Sequence, residues 1–280
     1  MKNLKAYNSD ATKAYKDAVQ RKGTSDAKDC LLQIETKVCD AYQKYKDCFD
    51  ANSLCNIQES DFAVSADEKR HLLDMYSYRS KIIKDIKANI TNQQLVTIQT
   101  TCQNCTIDSV GTMDHIIPKE KYPIYAVNGY NLFPCCSKCN SYKLDSVSAD
   151  SFLNLFLDTL PEVQYLFVDV YNDYGLINFR FYLSNDNGSV DVSLFNRITN
   201  HYDNLHLLER MKDAATTYLS DFIVTTKSYY KQLGKEIVAQ ITTENIKEKR
   251  KGYGYNYWKC SLELALINSD VFWDHLDSLM

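Results

Sequence analysis

Four cysteines arranged as two C-x-x-C pairs are the residues of this sequence whose spacing indicates a definite chemistry. The pairs are Cys102 with Cys105 and Cys136 with Cys139. Four thiolates in two such pairs are a frequent ligand set for a tetrahedral, structural Zn²⁺ ion. Cys135 is a spare cysteine, but the two-residue spacer favours Cys136 as the partner of Cys139. A redox site is the weaker interpretation, because thioredoxin-type C-x-x-C motifs occur singly.

The segment between the cysteine pairs carries groups that could hydrolyse a phosphodiester. It spans 30 residues and contains the dipeptide Asp114-His115, while Asn140 directly follows the last cysteine. Carboxylate and amide oxygens are ligands that Mg²⁺ or Mn²⁺ prefers, so Asp114 and Asn140 could hold a cation against a phosphate. A histidine, with an ordinary pKa of about 6.5, can take a proton from water at neutral pH. On a strand, the Asp114 and His115 side chains would point to opposite faces.

The stretch from 102 to 143 resembles the HNH endonucleases. The pattern C-x-x-C … D-H-x-x-P-K … N-L-x-P-x-C-x-x-C-N-x-x-K is matched at each specified position. The resemblance implies a ββα-metal core with a structural Zn²⁺ on the four cysteines. It also implies that Asp114 and Asn140 bind a catalytic Mg²⁺ or Mn²⁺, that His115 is the general base and that Asn131 orients the loop. At the position of Asn140 this family often has histidine, and the asparagine here disfavours softer metals.

Other interpretations of these residues remain open at the level of sequence. Lys119 or Lys143 could contact phosphate. His115 could be a hydrogen-bonded structural histidine. The whole motif could belong to a catalytically inactive, zinc-stapled module that binds nucleic acid or protein. The remaining histidines have no partner at a metal-site spacing and are expected to be surface or packing residues: His71, His201, His206 and His275.

The regions that flank the motif are predicted to be mainly helical. A weak helix is expected over residues 6–21, and Thr24 or Ser25 could cap a stronger one. That second helix has apolar residues at helical spacing, and a third is expected over residues 66–90. The inward residues are expected to be Leu31, Ile34, Val38, Tyr42, Tyr45, Phe49, Leu72, Tyr76, Ile83, Ile86 and Ile90.

The centre and the C-terminal half have a mixed pattern. Gly111, between two β-prone runs, predicts a hairpin of residues 106–110 with 112–117. The expected elements that follow are an irregular loop over 119–135, short helices over 137–144 and 152–160, strands over 165–170 and 176–183, and helices from 201 to the end.

Composition restricts the class of protein. The 280 residues are 45% hydrophobic and 24% charged, with a formal net charge of −4, which argues against a uniformly basic nucleic-acid coat. No apolar run is long enough to cross a membrane, and the first residues have no export-signal pattern, so we expect a cytoplasmic protein with no membrane partner. A local basic and aromatic segment, residues 245–259, could grip a nucleic-acid backbone, but a solvated helix end is slightly favoured.

These observations predict an α+β, mainly helical fold. We expect a helical region at 1–95, the ββα-metal core at 96–148 and a mostly helical region with a strand pair at 149–280. The expected function is metal-dependent hydrolysis of DNA, with RNA as the less favoured substrate. Looser similarity beyond the core, to bacterial HNH proteins of mobile elements and antiphage defence, implies a protein partner such as an ATPase.

Overall fold

The computed structural model describes residues 1–77, 79–143 and 151–280. Within these ranges the chain forms eleven α-helices and two antiparallel strand pairs, so the predicted mainly helical α+β class is confirmed. The chain divides into two compact units. The motif unit consists of Asn3–Gln103 and Ser109–Thr159, and the C-terminal unit consists of Met1–Lys2, Asn104–Asp108 and Leu160–Met280.

The first three helices of the motif unit are α1 (Ala11–Gln20), α2 (Asp26–Gln33) and α3 (Glu35–Asp50). The Ser25 hydroxyl accepts a hydrogen bond from the Lys28 backbone N–H at 3.3 Å, so α2 begins at one of the two predicted caps. The single helix predicted after this cap is two helices, because Ile34 lies outside helical geometry at φ −92° and ψ 6°. The predicted apolar face is nevertheless buried on both sides of the break.

The third predicted helix is also divided, into α4 (Ala66–Asp74) and α5 (Lys81–Thr91). Ser65 and Glu68 form a capping box at the start of α4. The Tyr76 hydroxyl, after the end of α4, donates to the Met113 backbone carbonyl. Tyr76 lies between α4 and α5, so a tertiary hydrogen bond is made at the break. The apolar spacing did not predict this break. The expected inward residues of α5 are buried.

The centre of the motif unit contains β1 (Thr112–His115), β2 (Leu132–Cys135) and α6 (Ser137–Lys143). The predicted order of strand, strand and helix is present, but the predicted first strand is wrong. The two strands pair antiparallel, with Asp114 opposite Phe133 and His115 opposite Leu132. Residues 106–110 form no strand beside β1: Thr106 has a φ of +57°, Ser109 forms an isolated antiparallel bridge with Thr101, and the Val110 N–H donates to the Thr100 carbonyl at 2.8 Å.

Residues 152–160 form turns and not the predicted helix. The Asn154 backbone N–H donates to the Asp158 carboxylate at 2.8 Å, and the Asn154 side chain accepts from the Phe156 N–H at 3.1 Å. Such local side-chain bonds compete with helical hydrogen bonds. Residue 144, the last of the helix predicted over 137–144, lies outside the described residues.

The C-terminal unit begins with β3 (Leu166–Asp173) and β4 (Leu176–Leu183), which form the predicted strand pair. Its turn contains Gly175 at a φ of +85°, a conformation that glycine adopts without strain. Helices complete the unit, and they begin at Val192, nine residues before the predicted start at 201: α7 (Val192–Asn204), α8 (Leu207–Leu233), α9 (Lys235–Tyr253), α10 (Trp258–Ile267) and α11 (Asp270–Ser278). Among the described residues, no helix has both the length and the apolar character that a membrane crossing needs.

Candidate functional site

The four predicted zinc ligands lie together. The sulfur atoms of Cys102, Cys105, Cys136 and Cys139 are all within 4.8 Å of one another, and all four residues are buried. Tetrahedral Zn²⁺ with Zn–S bonds of about 2.3 Å requires sulfur separations of about 3.8 Å, so a small contraction would bring the four thiolates onto one ion. These residues could therefore hold a metal such as zinc, and the choice of Cys136 over Cys135 agrees with the cluster.

Backbone groups around the cysteines suit bound thiolates. The Ile107 N–H donates to the Cys105 sulfur at 3.4 Å, and the Cys139 N–H donates to the Cys136 sulfur at 3.3 Å. Hydrogen bonds of this kind favour the deprotonated form of a thiol, which is the form that binds metal. Gly111 lies beside α6, where a Cβ atom would come 3.3 Å from the Ser137 hydroxyl oxygen. This glycine therefore lets β1 approach the helix that carries the second cysteine pair.

Asp114 is buried on β1 and forms an ion pair with Lys143, the last residue of α6. The Lys143 ammonium lies 2.7 Å from the Asp114 Oδ2 atom and 2.8 Å from the backbone carbonyl oxygen of His115. Their side chains are only 16% and 12% exposed, so water screens this pair weakly. The carboxylate that sequence predicts as a metal ligand is thus held by an ammonium group.

His115 follows Asp114 on the strand and has a different set of neighbours. Its Nε2 atom is 2.9 Å from the Ala126 backbone carbonyl oxygen, and its ring centroid is 4.5 Å from that of Tyr76. Because a carbonyl only accepts hydrogen bonds, Nε2 carries the hydrogen in the neutral imidazole. The lone pair is then on Nδ1, which is the nitrogen able to accept a proton.

Burial lowers the pKa of His115 to about 4, from an ordinary value of 6.5. The Ala126 carbonyl and the Asp114 carboxylate act in the opposite direction, while the ammonium groups of Lys119 and Lys143 lower the pKa further. Desolvation is the largest of these effects, because the buried imidazolium would lose its hydration. The ring is therefore unprotonated at neutral pH, as a general base must be.

Asn131 is fully buried and its amide makes four hydrogen bonds. Its Oδ1 atom accepts from the Ile117 N–H at 2.8 Å and from the Tyr45 hydroxyl at 3.0 Å. Its Nδ2 atom donates to the Ile117 carbonyl at 3.1 Å and to the Tyr125 carbonyl at 3.2 Å. Asn131 thereby connects Ile117, which follows His115, to Tyr125. The next residue, Ala126, provides the carbonyl that contacts the imidazole.

The remaining predicted site residues lie on the surface of the motif unit. Asn140 is exposed on the second turn of α6, and its backbone N–H donates to the Cys136 carbonyl at 3.1 Å. The Lys119 ammonium forms an ion pair with Glu120 and lies 5.9 Å from the centre of the Tyr76 ring. An exposed amide oxygen can reach a cation, so the Asp114 carboxylate and the Asn140 amide are donors of the type that suits Mg²⁺ or Mn²⁺.

Most cations of the basic and aromatic segment, residues 245–259, have acidic or polar partners. Lys247 and Lys251 pair with the exposed acids Glu244 and Glu248. Lys249 pairs with the buried Glu263 carboxylate at 2.6 Å, and the Arg250 guanidinium donates to the Gln164 amide oxygen at 2.9 Å. Four of the five cations of this segment thus have partners within the C-terminal unit.

Sequence reasoning missed three participants in this site. Tyr76 borders the imidazole, the Ala126 carbonyl fixes its tautomer, and Lys143 holds the Asp114 carboxylate. Lys143 has a signal, as the final residue of the motif, but that signal predicts only a phosphate contact. A backbone carbonyl has no sequence signal, since every residue has one.

Comparisons of this chain with family models, with curated proteins and with solved structures find no match.

Proposed function

We propose that this chain is a metal-dependent endonuclease of the HNH type that hydrolyses DNA phosphodiester bonds. One observation carries the proposal: the Nε2 atom of buried His115 lies 2.9 Å from the Ala126 carbonyl, which leaves Nδ1 as the proton acceptor, and this histidine directly follows the buried Asp114. The two residues lie on a strand paired with the segment that precedes α6. The neighbouring four-cysteine cluster supports it by anchoring both ends of the motif.

In this proposal each residue of the motif has one task. Asp114 and Asn140 would hold a divalent cation, which when bound neutralises a phosphate oxygen and the departing 3′ oxygen. The Nδ1 atom of His115 takes a proton from water as the water oxygen attacks phosphorus. The bond from phosphorus to the 3′ oxygen breaks, and the departing oxygen takes a proton from solvent water, which leaves 5′-phosphate and 3′-hydroxyl ends. Asn131 keeps the Ala126 carbonyl placed to hold the imidazole.

The direct test is nicking of supercoiled plasmid in Mg²⁺ or Mn²⁺, with and without EDTA. We expect wild-type protein to nick only with the cation, and His115→Ala to lower the rate about a hundredfold or more. The control is His275→Ala, which removes a half-buried imidazole from α11, within the C-terminal unit. Equal cutting by wild type and His115→Ala at equal zinc content would refute the assignment of the base.

A second candidate function is a catalytically inactive module that binds nucleic acid or protein. The ion pair of Asp114 with Lys143 favours it, because an ammonium group already satisfies the carboxylate that is proposed to bind the metal. This candidate predicts DNA binding that EDTA does not change and no nicking in Mn²⁺. RNA substrates in the same assay distinguish a ribonuclease, and addition of an ATPase partner tests whether cutting needs a second protein.

A further inference from the structure

The ammonium group of Lys143 lies beside the carboxylate that is proposed to bind the metal ion. Its ammonium group contacts the Asp114 Oδ2 atom at 2.7 Å and the His115 carbonyl oxygen at 2.8 Å. It also lies 6.0 Å from the centre of the Phe152 ring. A metal ion that binds the Asp114 carboxylate would therefore come close to the lysine that already neutralises this carboxylate.

We propose that Lys143 is a competing internal cation that holds Asp114 in the metal-free protein and is displaced when a divalent ion binds. This inference rests on the proposed function, because it concerns the same carboxylate. It makes Lys143 a positioning residue that sets the metal concentration at which the site fills.

The physical basis is the low exposure of the pair. A buried carboxylate without a counter-charge is costly, so an ammonium group preserves the folded site until a metal arrives. Two cations at one carboxylate repel each other, and the repulsion is stronger where water is excluded. Part of the metal's binding free energy is therefore spent on moving Lys143 away from Asp114.

The position of Lys143 makes such a movement compatible with the fold. Its side chain extends from α6 on four carbons, and such a chain can swing without unfolding the helix. The ammonium has no hydrogen-bonded partner other than Asp114 and the His115 carbonyl among the described residues. Among the described residues its release breaks these two hydrogen bonds and the contact with the Phe152 ring, none of which involves a cysteine of the cluster.

The test measures Mn²⁺ affinity by electron paramagnetic resonance on zinc-loaded protein, without DNA. Lys143→Met keeps most of the side-chain length but removes the charge, and we expect it to bind Mn²⁺ with a Kd about tenfold lower than wild type. Lys143→Arg keeps the charge and can hold a carboxylate through two hydrogen bonds, so we expect weaker binding than wild type. Lys138→Met removes the same charge from an exposed position of α6 and should leave the Kd within about twofold of wild type.

The outcomes separate this inference from the proposed function. Binding by wild type that Asp114→Asn abolishes, together with the order Met tighter than Lys tighter than Arg at position 143, supports competition. Equal or weaker binding by Lys143→Met overturns it while the nuclease proposal stands. Absence of an Asp114-dependent Mn²⁺ site in every variant overturns the nuclease proposal itself. If Lys143→Met does not fold, Lys143→Arg decides: unchanged or tighter binding by that variant overturns the competition.

Discussion

Burial of His115 predicts a specific dependence of protein stability on pH. The pKa of this group is about 4 in the folded protein and is expected near 6.5 in the unfolded chain. Below pH 6.5 the unfolded chain therefore binds a proton that the folded protein does not. Stability from this residue is complete above pH 6.5 and is lost progressively as the pH falls towards 4.

The size of the effect follows from that pKa difference. One pKa unit corresponds to about 1.4 kcal/mol, so between pH 7.5 and pH 5 the contribution of His115 falls by about 2 kcal/mol. The perturbation is His115→Gln, whose amide N–H can replace the hydrogen bond to the Ala126 carbonyl but does not titrate. We expect the wild type to lose about 2 kcal/mol more stability than this variant over the same range.

The assay is urea unfolding of both proteins at several pH values, with the free energy extrapolated to water. Zinc-bound cysteines also titrate on unfolding, but that contribution is common to both proteins and cancels in the difference. Parallel pH profiles for wild type and His115→Gln would refute the reasoning. They would mean that the imidazole is not held neutral by burial in the folded protein.

Further predictions concern the cysteine cluster and the Asn131 hydrogen bonds. Cys136→Ser should lower bound zinc and the Tm together, whereas Cys135→Ser should keep one zinc per chain. Bound zinc is measured by mass spectrometry under native conditions. The opposite pattern would show that Cys135, and not Cys136, is the ligand. Asn131→Ala leaves several buried groups unpaired and should cost about 3 kcal/mol by urea unfolding, while Tyr45→Phe removes one of the same hydrogen bonds and should cost about 1 kcal/mol. Equal losses for these two variants would show that Asn131 does not hold the loop.

The spacing of the cysteines was enough to predict the four-cysteine cluster. The ligand set depends on local sequence, because each C-x-x-C pair presents two sulfurs from one short turn. The strand pair after residue 165 was equally accessible, since alternating residues flank a turn that contains Gly175.

The pairing of β1 with β2 could not be predicted in the same way. β2 is four residues long, is wholly buried and contains Pro134, a residue that argues against a strand. The segment 106–110 has residues typical of strands, but its only pairing among the described residues is the isolated bridge of Ser109 with Thr101. In both places tertiary constraints outweigh local propensity.

Contacts between distant parts of the chain carry the rest of the site. Lys143 and Asp114 are separated by 29 residues, and the Tyr45 hydroxyl reaches Asn131 across 86 residues. No spacing rule relates such pairs. The catalytic assignments of Asp114, His115 and Asn140 remain predictions that activity and metal binding must test.

The most direct measurement is anomalous X-ray scattering from crystals of the zinc-loaded protein soaked in Mn²⁺. Our account predicts two peaks: zinc among the four cysteine sulfurs, and manganese about 2.1 Å from oxygens of Asp114 and Asn140, with the Lys143 ammonium moved away. The account would be contradicted by a single peak at the cysteines, with Lys143 still paired to Asp114. That result would have to hold both in crystals without DNA and in crystals grown with DNA.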